Sequence, residues 1–119
     1  MSFFSRIFGK NNKLIHKNEK VEFNESKVVR TMRDGKQEII EWSDLKEVTI
    51  ITTDEGPFVD DVFWVLSGSV SGCLVPSEAD GVQELIAYLQ KLPDFDNEVV
   101  IKAMGSSENA KFVCWTKQK

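Results

Sequence analysis

Residues 37–53, QEIIEWSDLKEVTIITT, contain two apolar runs separated by a short polar turn. The second run, from Glu47 to Thr53, is rich in β-branched residues, which favour a central strand of a sheet. Ser43 is able to cap one helical turn between the two runs. The stretch therefore predicts two strands, over 37–42 and 47–53, that are joined by one tight turn.

Further strand patterns lie on both sides of this stretch. The dipeptide Asp34-Gly35 is a hairpin signal ahead of residue 37. Between Asp61 and Leu66 successive side chains point to opposite faces, and both faces are apolar. This pattern indicates burial on both sides of the strand or one exposed aromatic patch. The sequence predicts additional strands over 21–24, 28–32, 61–66, 70–75 and 111–115.

Two helices are predicted before the last strand. Ser77 and Asp80 resemble a capping box, and Leu92-Pro93 provides a stop, so a main helix is expected over 78–91. Its apolar residues follow the spacing i, i+3, i+4 and i+7: Val82, Leu85, Ile86 and Leu89. Asp96 or Asn97 is able to cap a shorter helix that runs to Met104.

The order of these elements predicts an α+β fold. We expect an antiparallel, strongly bent sheet or partly open barrel, capped by the main helix at about 78–91 and the short helix at about 96–104. The 119 residues and 41% hydrophobic content are sufficient for one globular domain with its own core. We place this domain at 20–119, after an amphipathic and basic N-terminal segment, 1–19.

Charge is strongly segregated along the chain. Residues 1–36 carry nine Lys or Arg and four acids, a net charge of +5, and residues 102–119 carry +3. Residues 37–101 carry two Lys and fourteen acids, a net charge of −12. An acidic middle repels phosphate, which argues against binding of DNA or RNA. Two interpretations remain open, a solvated acidic surface or a surface that steers a basic protein partner.

The first residues of the chain contain Phe3, Phe4, Ile7 and Phe8 at helical spacing, followed by a lysine-rich stretch. They lack the continuous apolar core of a signal peptide, and no apolar run is long enough to span a bilayer. The segment packs on its own domain, frays, or contacts an anionic membrane surface weakly through these four residues.

No residue pattern in the sequence matches a catalytic or metal-binding motif. The sole histidine, His16, lies in the N-terminal segment, and Cys73 and Cys114 lie in predicted strands beside apolar residues. Buried thiols in such surroundings are unreactive, and unpaired thiols are typical of a reducing cytosol. We expect a cytoplasmic protein that is not an enzyme and holds no metal or cofactor; an enzyme that uses carboxylates alone is the least favoured alternative.

Four basic residues recur every three positions near the first hairpin, a spacing that does not keep to one face of a strand. We interpret them as a solvated edge and not as a phosphoinositide site: Lys27, Arg30, Arg33 and Lys36.

Five stretches carry a resemblance to a known fold family: 38–48, 52–58, 60–64, 92–97 and 112–115. An exposed hairpin that ends in Trp42, followed by one tight turn and a Val/Ile-rich strand, resembles the small bacterial domains with a pleckstrin-homology-like fold. The resemblance covers roughly residues 20–117 and implies fold more than function. Small acidic domains of this type are also similar to immunity proteins, which neutralise a toxin from a neighbouring cell.

These observations predict a non-catalytic binding protein, an immunity protein that blocks the active site of a cationic toxin such as a nuclease. The expected partner-binding residues surround one turn, with Phe58 as an apolar anchor among carboxylates: Asp54, Glu55, Asp60 and Asp61. The alternative is a membrane-proximal adaptor that is anchored through the Phe-rich N-terminus.

Overall fold

The computed structural model describes residues 19–54, 62–106 and 108–117. Within these ranges the chain forms seven strands and two α-helices, together with a short 3-10 helix at Trp42–Asp44. The strands are β1 (Lys20–Phe23), β2 (Lys27–Thr31), β3 (Gln37–Glu41), β4 (Leu45–Thr52), β5 (Val62–Gly68), β6 (Gly72–Pro76) and β7 (Ala110–Thr116). The helices α1 (Val82–Leu89) and α2 (Asn97–Met104) both precede β7.

The strands form two antiparallel sheets. β1, β2 and β3 make a three-stranded meander, and the second sheet has the order β6-β5-β4-β7. The α+β class, the antiparallel pairing and the order of helices and strands agree with the sequence prediction. The seven described strands form two separate sheets, and not one closed barrel.

One core lies between the sheets and the helices. It includes Val28 and Ile40 from the three-stranded sheet, Val48 and Trp64 from the four-stranded sheet, and Leu85 from α1. Val62, Trp64 and Leu66 face this core, as the alternation in β5 predicts, while Phe63 is buried on the other side of the strand.

The main helix is shorter than predicted, and its predicted cap is wrong. It begins at Val82 after Gly81, whose φ is +87°, and no side chain caps it. Asp80 is drawn instead towards β1, since its carbonyl accepts a hydrogen bond of 2.8 Å from the Val21 N–H. A Cβ atom at Gly81 would collide with the carbonyl oxygen of Val21, so this close approach requires glycine.

The shorter helix forms as predicted. The Asp96 side chain accepts hydrogen bonds from the backbone N–H groups of Glu98 and Val99, which caps the first turn of α2. The predicted Ser43 cap is wrong, because no side chain caps the 3-10 helix. Val70, which was expected in a strand, lies in the β5–β6 turn and is 89% exposed.

The interpretation of Arg30 as part of a solvated edge is wrong. Its side chain is 6% exposed and pairs with two carboxylates, Glu19 at 2.8 Å and Glu38 at 3.0 Å. The reason is strand alternation, since Arg30 shares the inward face of β2 with Val28 and lies opposite Val21 and Glu38. The Glu38 carboxylate also accepts the Leu74 N–H at 2.9 Å, so this buried network joins the two sheets.

Candidate functional site

The candidate site is built by strand register at one end of the four-stranded sheet. Thr52 at the end of β4 pairs with Val62 at the start of β5 and with Ala110 at the start of β7. Pro76 at the end of β6 pairs with Phe63, the second residue of β5. All four strands therefore begin or end at this edge, and the connections that join them to the neighbouring elements also begin or end here.

Three connections leave this edge: 53–61, 77–81 and 105–109. They contain seven carboxylates and no Lys or Arg, and we call this region the acidic end. Its acids are Asp54, Glu55, Asp60, Asp61, Glu78, Asp80 and Glu108. The four that the structure describes, Asp54, Glu78, Asp80 and Glu108, are all exposed.

Hydrogen bonds hold two of these connections side by side. The buried Thr52 hydroxyl donates to the Glu108 carbonyl at 2.7 Å. The Asp54 N–H donates to the Asn109 side-chain oxygen at 3.3 Å. These contacts fix the backbone of Asp54 beside that of Glu108, so two exposed carboxylates project from neighbouring, tied segments.

The remaining connection, 77–81, is hydrogen-bonded to the first residues of the described domain. The Ser77 N–H donates to the Val62 carbonyl at 3.1 Å, next to the first connection. The Asp80 N–H donates to the carbonyl of Glu19 at 3.0 Å. The chain therefore enters the described domain at the acidic end.

Exposed apolar side chains lie on the helix that leads into the connection 105–109. Ile101 is 71% exposed and Met104 is 52% exposed, although both are large hydrophobic residues. They are three residues apart on α2, so they share one face of its last turn, which leads directly into the connection 105–109. Apolar anchors within a charged rim are the usual composition of a protein-binding surface.

At the opposite end of the same sheet, a carboxylate holds a turn in place. The Asp44 carboxylate accepts hydrogen bonds from Ser69 N–H at 2.9 Å, Val70 N–H at 3.3 Å and Ser71 Oγ at 3.0 Å. The bond from Ser69 is the main cause that lowers the pKa of Asp44. The charge of Lys46 also lowers this pKa, and Lys117 Nζ donates to the Ser43 carbonyl at 3.4 Å.

A shallow groove of about 460 Å³ lies on the three-stranded sheet. Glu22, Lys27 and Gln37 line it together with Val29 and Ile39. Its charged groups are one acid, Glu22 on β1, and one base, Lys27 on β2.

Of the predicted partner-binding residues, the structure describes Asp54, which is exposed at the acidic end. Glu55, Phe58, Asp60 and Asp61 lie outside the described residues, in the connection that Asp54 begins. The sequence interpretation missed Glu78, Asp80, Glu108, Ile101 and Met104. Strand register brings Glu78, Asp80 and Glu108 to the same edge, whereas Ile101 and Met104 lie on the helix that leads into 105–109.

The predicted membrane-contacting residues, Phe3, Phe4, Ile7 and Phe8, and the sole histidine, His16, also lie outside the described residues. In the part of the chain that is described, no helix is long and apolar enough to cross a bilayer.

Both thiols are buried, as predicted. Burial raises the pKa of Cys73 to about 11, with a further contribution from the Glu38 charge. Burial also raises the pKa of Cys114 to about 11, with Asp96 as the second cause. Both groups are therefore protonated at neutral pH and are poor nucleophiles. Within 19–54, 62–106 and 108–117, no group of three His, Cys, Asp or Glu side chains is arranged to hold a metal ion.

Comparison with known proteins adds no family assignment, since no family model, no curated protein and no solved structure matches this chain.

Proposed function

We propose that this protein is a non-catalytic binding protein whose acidic end covers a basic surface on a protein partner. The observation that carries the proposal is that four exposed acids, Asp54, Glu78, Asp80 and Glu108, lie in three connections at one edge of the sheet. In sequence these connections contain seven carboxylates and no Lys or Arg. Such a concentration of one sign attracts a basic surface and speeds its association.

The chemistry of the partner follows from the composition of this surface. Carboxylates pair with Lys, Arg or protonated His, and Ile101 and Met104 offer an apolar contact beside them. A nuclease active site combines basic residues for phosphate with a concave shape. We therefore propose an immunity protein that blocks a cationic toxin, such as a nuclease, as the specific member of this class.

The pleckstrin-homology-like fold remains part of this proposal. The antiparallel sheets and the helices that pack on them support it in outline. Both helices precede β7, and β7 returns to pair with β4. A structure with the pleckstrin-homology-like fold would have to show the same arrangement.

Charge reversal at the acidic end tests the function. The probe is a candidate toxin domain with a basic surface, made catalytically inactive, and its affinity is measured by calorimetry at low and high salt. Asp54→Lys together with Glu108→Lys should weaken binding about tenfold or more and reduce its salt dependence, because both carboxylates project from the proposed contact surface.

The matched control reverses two exposed acids away from the acidic end, Glu41→Lys with Glu98→Lys. Glu41 precedes the 3-10 helix that leads into β4 at the opposite edge, and Glu98 lies in the first turn of α2. The control makes the same change in net charge. Equal losses of affinity in the two double variants would show that only total charge matters, and unchanged affinity in the first would remove the proposed contact.

A further inference from the structure

Each of the two sheets has two edge strands, β1 and β3 in the three-stranded sheet and β6 and β7 in the four-stranded sheet. On three of these edges a backbone group is bonded to another part of the chain. The Val21 N–H of β1 donates to the Asp80 carbonyl at 2.8 Å. The Leu74 N–H of β6 donates to the Glu38 carboxylate at 2.9 Å. On β7 the Cys114 carbonyl accepts a backbone N–H from the segment before α2 at 2.9 Å.

Hydrogen bonds at both ends of the β2–β3 pair show which way the backbone of β3 points. The Met32 N–H donates to the Lys36 carbonyl at 2.8 Å, and the Trp42 N–H donates to the Ser26 carbonyl at 3.0 Å. Because hydrogen-bonded residues alternate along an antiparallel pair, the even-numbered residues of β3 are bonded to β2. The backbone groups of the odd-numbered residues therefore point away from β2: Gln37, Ile39 and Glu41.

This outward row of backbone groups on β3 is open. Within 19–54, 62–106 and 108–117, no other element donates a backbone hydrogen bond to it or accepts one from it. The side chains of the same three residues are exposed, and Ile39 is 43% exposed. β3 contains no Pro or Lys, and its register with β2 has no bulge, so it lacks common devices that keep edge strands apart. Such an edge is a template for another strand.

The sequence of β3 is complementary to itself in the antiparallel direction. When Ile39 lies opposite Ile39 of a second copy, Gln37 of each copy lies opposite Glu41 of the other. The central pair is then apolar, and a Gln37 amide donates to a Glu41 carboxylate on each side of it. The Gln37 nitrogen already donates to Thr31 Oγ1 at 3.3 Å and has a second hydrogen for this bond. Since all three residues point their backbone groups outward, the pairing forms about six backbone hydrogen bonds.

The side chains on the exposed face of the sheet favour this register. A shift by one hydrogen-bonded step places Ile39 opposite Gln37 or Glu41, so that an apolar side chain meets a polar one. In the unshifted register the two Ile39 side chains continue an apolar row, because Val29 lies beside Ile39 on β2 and is half-buried. Four apolar side chains, two from each copy, then lie side by side across the junction.

We infer that two copies of this protein form a symmetric dimer by antiparallel pairing of their β3 strands, which joins two three-stranded sheets into one six-stranded sheet. No residue of β3 belongs to the acidic end, so the inference does not depend on the proposed function. A single pair of five-residue strands is at the small end of interface sizes, below about 1,200 Å². The dimer is therefore weak, with a dissociation constant on the order of 10–100 μM.

Hydrogen exchange of the full chain, followed by NMR at about 20 μM and about 1 mM protein, tests the pairing. The amides of Gln37, Ile39 and Glu41 should be protected about threefold or more at the higher concentration. Those of Glu38 and Ile40, which are bonded to β2 in the monomer, should not change with concentration. Equal protection of the three outward amides at both concentrations would show that another part of the same chain covers the edge, and it would overturn the inference.

Two matched variants separate the β3 edge from other exposed apolar residues. Ile39→Lys places like charges opposite each other at the centre of the pair and should weaken the dimer about tenfold or more in sedimentation equilibrium. Ile101→Lys makes the same change at an isoleucine of α2 that is 71% exposed, and it should leave dimerisation unchanged. The inference is overturned if the wild-type chain is monomeric at about 1 mM. A dimer that survives Ile39→Lys, or that Ile101→Lys alone dissociates, overturns it as well.

Gln37→Glu tests the register with a nearly isosteric change at an exposed position, so it does not depend on whether Ile39→Lys folds. It places a carboxylate opposite Glu41 on both sides of the central pair and should weaken the dimer about threefold to tenfold at low salt. Gln37→Lys should strengthen the dimer by a similar factor, because each new lysine lies opposite a carboxylate. Equal dissociation constants for the wild type and both variants at low salt would overturn the inference.

Discussion

The two ends of the four-stranded sheet use their carboxylates in different ways. At one end the carboxylate of Asp44 accepts three hydrogen bonds and so fixes the β5–β6 turn. At the acidic end the carboxylates of Asp54, Glu78 and Glu108 are exposed, and the connections are held by Thr52 and Asn109 instead. Acids that build the fold are therefore distinct from acids that are available to a partner.

The network around Arg30 extends this distinction to the interior. The Arg30 guanidinium pairs with both Glu19 and Glu38. It donates to the Glu19 carboxylate from Nε at 3.0 Å and from Nη2 at 2.8 Å. Both acids count toward the net charge of the sequence, but they add little to the surface potential that a partner meets.

Arg30→Met should destabilise the protein most. It removes the cation between two carboxylates and leaves Glu19, which is 4% exposed, without its counter-charge. Loss of one member of a buried ion pair costs about 3–5 kcal/mol. Chemical denaturation measures this loss, and Arg33→Met, at an exposed position two residues beyond β2, is the control that should change little. Similar losses in both variants would contradict the assigned role of Arg30.

Asp44→Asn should cost less than Arg30→Met, because the lost contacts lie at a half-buried turn. The pKa of Asp44 is lowered in the folded protein, so its contribution is complete above its ordinary pKa and is lost as the pH falls through the lowered value. Wild-type stability should therefore fall more steeply below about pH 4 than that of Asp44→Asn. Parallel pH profiles in thermal unfolding would contradict this role.

Thr52→Val should cost about 1 kcal/mol, since it removes the hydroxyl that donates to the Glu108 carbonyl at 2.7 Å and keeps the shape of the side chain. Hydrogen exchange at Asp54, Asn109 and Ala110 should become faster, while exchange at the Asp44 turn stays constant. Uniformly faster exchange would show a general loss of stability in place of a local link between two connections.

Asp54→Asn and Glu108→Gln should change the free energy of unfolding by less than about 0.5 kcal/mol. Both carboxylates are exposed at the acidic end, and removal of one charge there relieves repulsion between neighbours. Thermal unfolding at low salt checks this. A loss as large as that of Asp44→Asn would place these acids among the residues that build the fold.

Local patterns in the sequence were sufficient for most elements of the fold. The β-branched run of β4, the Gly35 turn and the Asp96 cap depend on a few adjacent residues, and each is present in the structure. The predicted start of α1 is wrong because the real start depends on a distant contact, in which Asp80 and Gly81 lie against β1. The division into two sheets depends on the pairing of β7 with β4, across more than fifty residues.

The candidate site was only partly visible for the same reason. The sequence located one acid-rich connection, whereas Glu78, Asp80 and Glu108 join it through strand register. The spacing of Arg30 from Lys27 and Arg33 predicts a surface position, whereas its alternation with Val28 places it on the inward face of β2. That alternation is a signal which could have identified the buried network.

The most direct test of the central claim compares the electrostatic potential at the two ends of the four-stranded sheet. Amide relaxation of the full chain is measured with a cationic and with an anionic nitroxide, whose ratio reports the local potential. We predict the most negative potential at Asp54, Glu78, Asp80 and Glu108, and a less negative one at Lys46 and Lys117 at the opposite end. An equal potential at both ends would contradict the claim that negative charge is gathered on one binding surface.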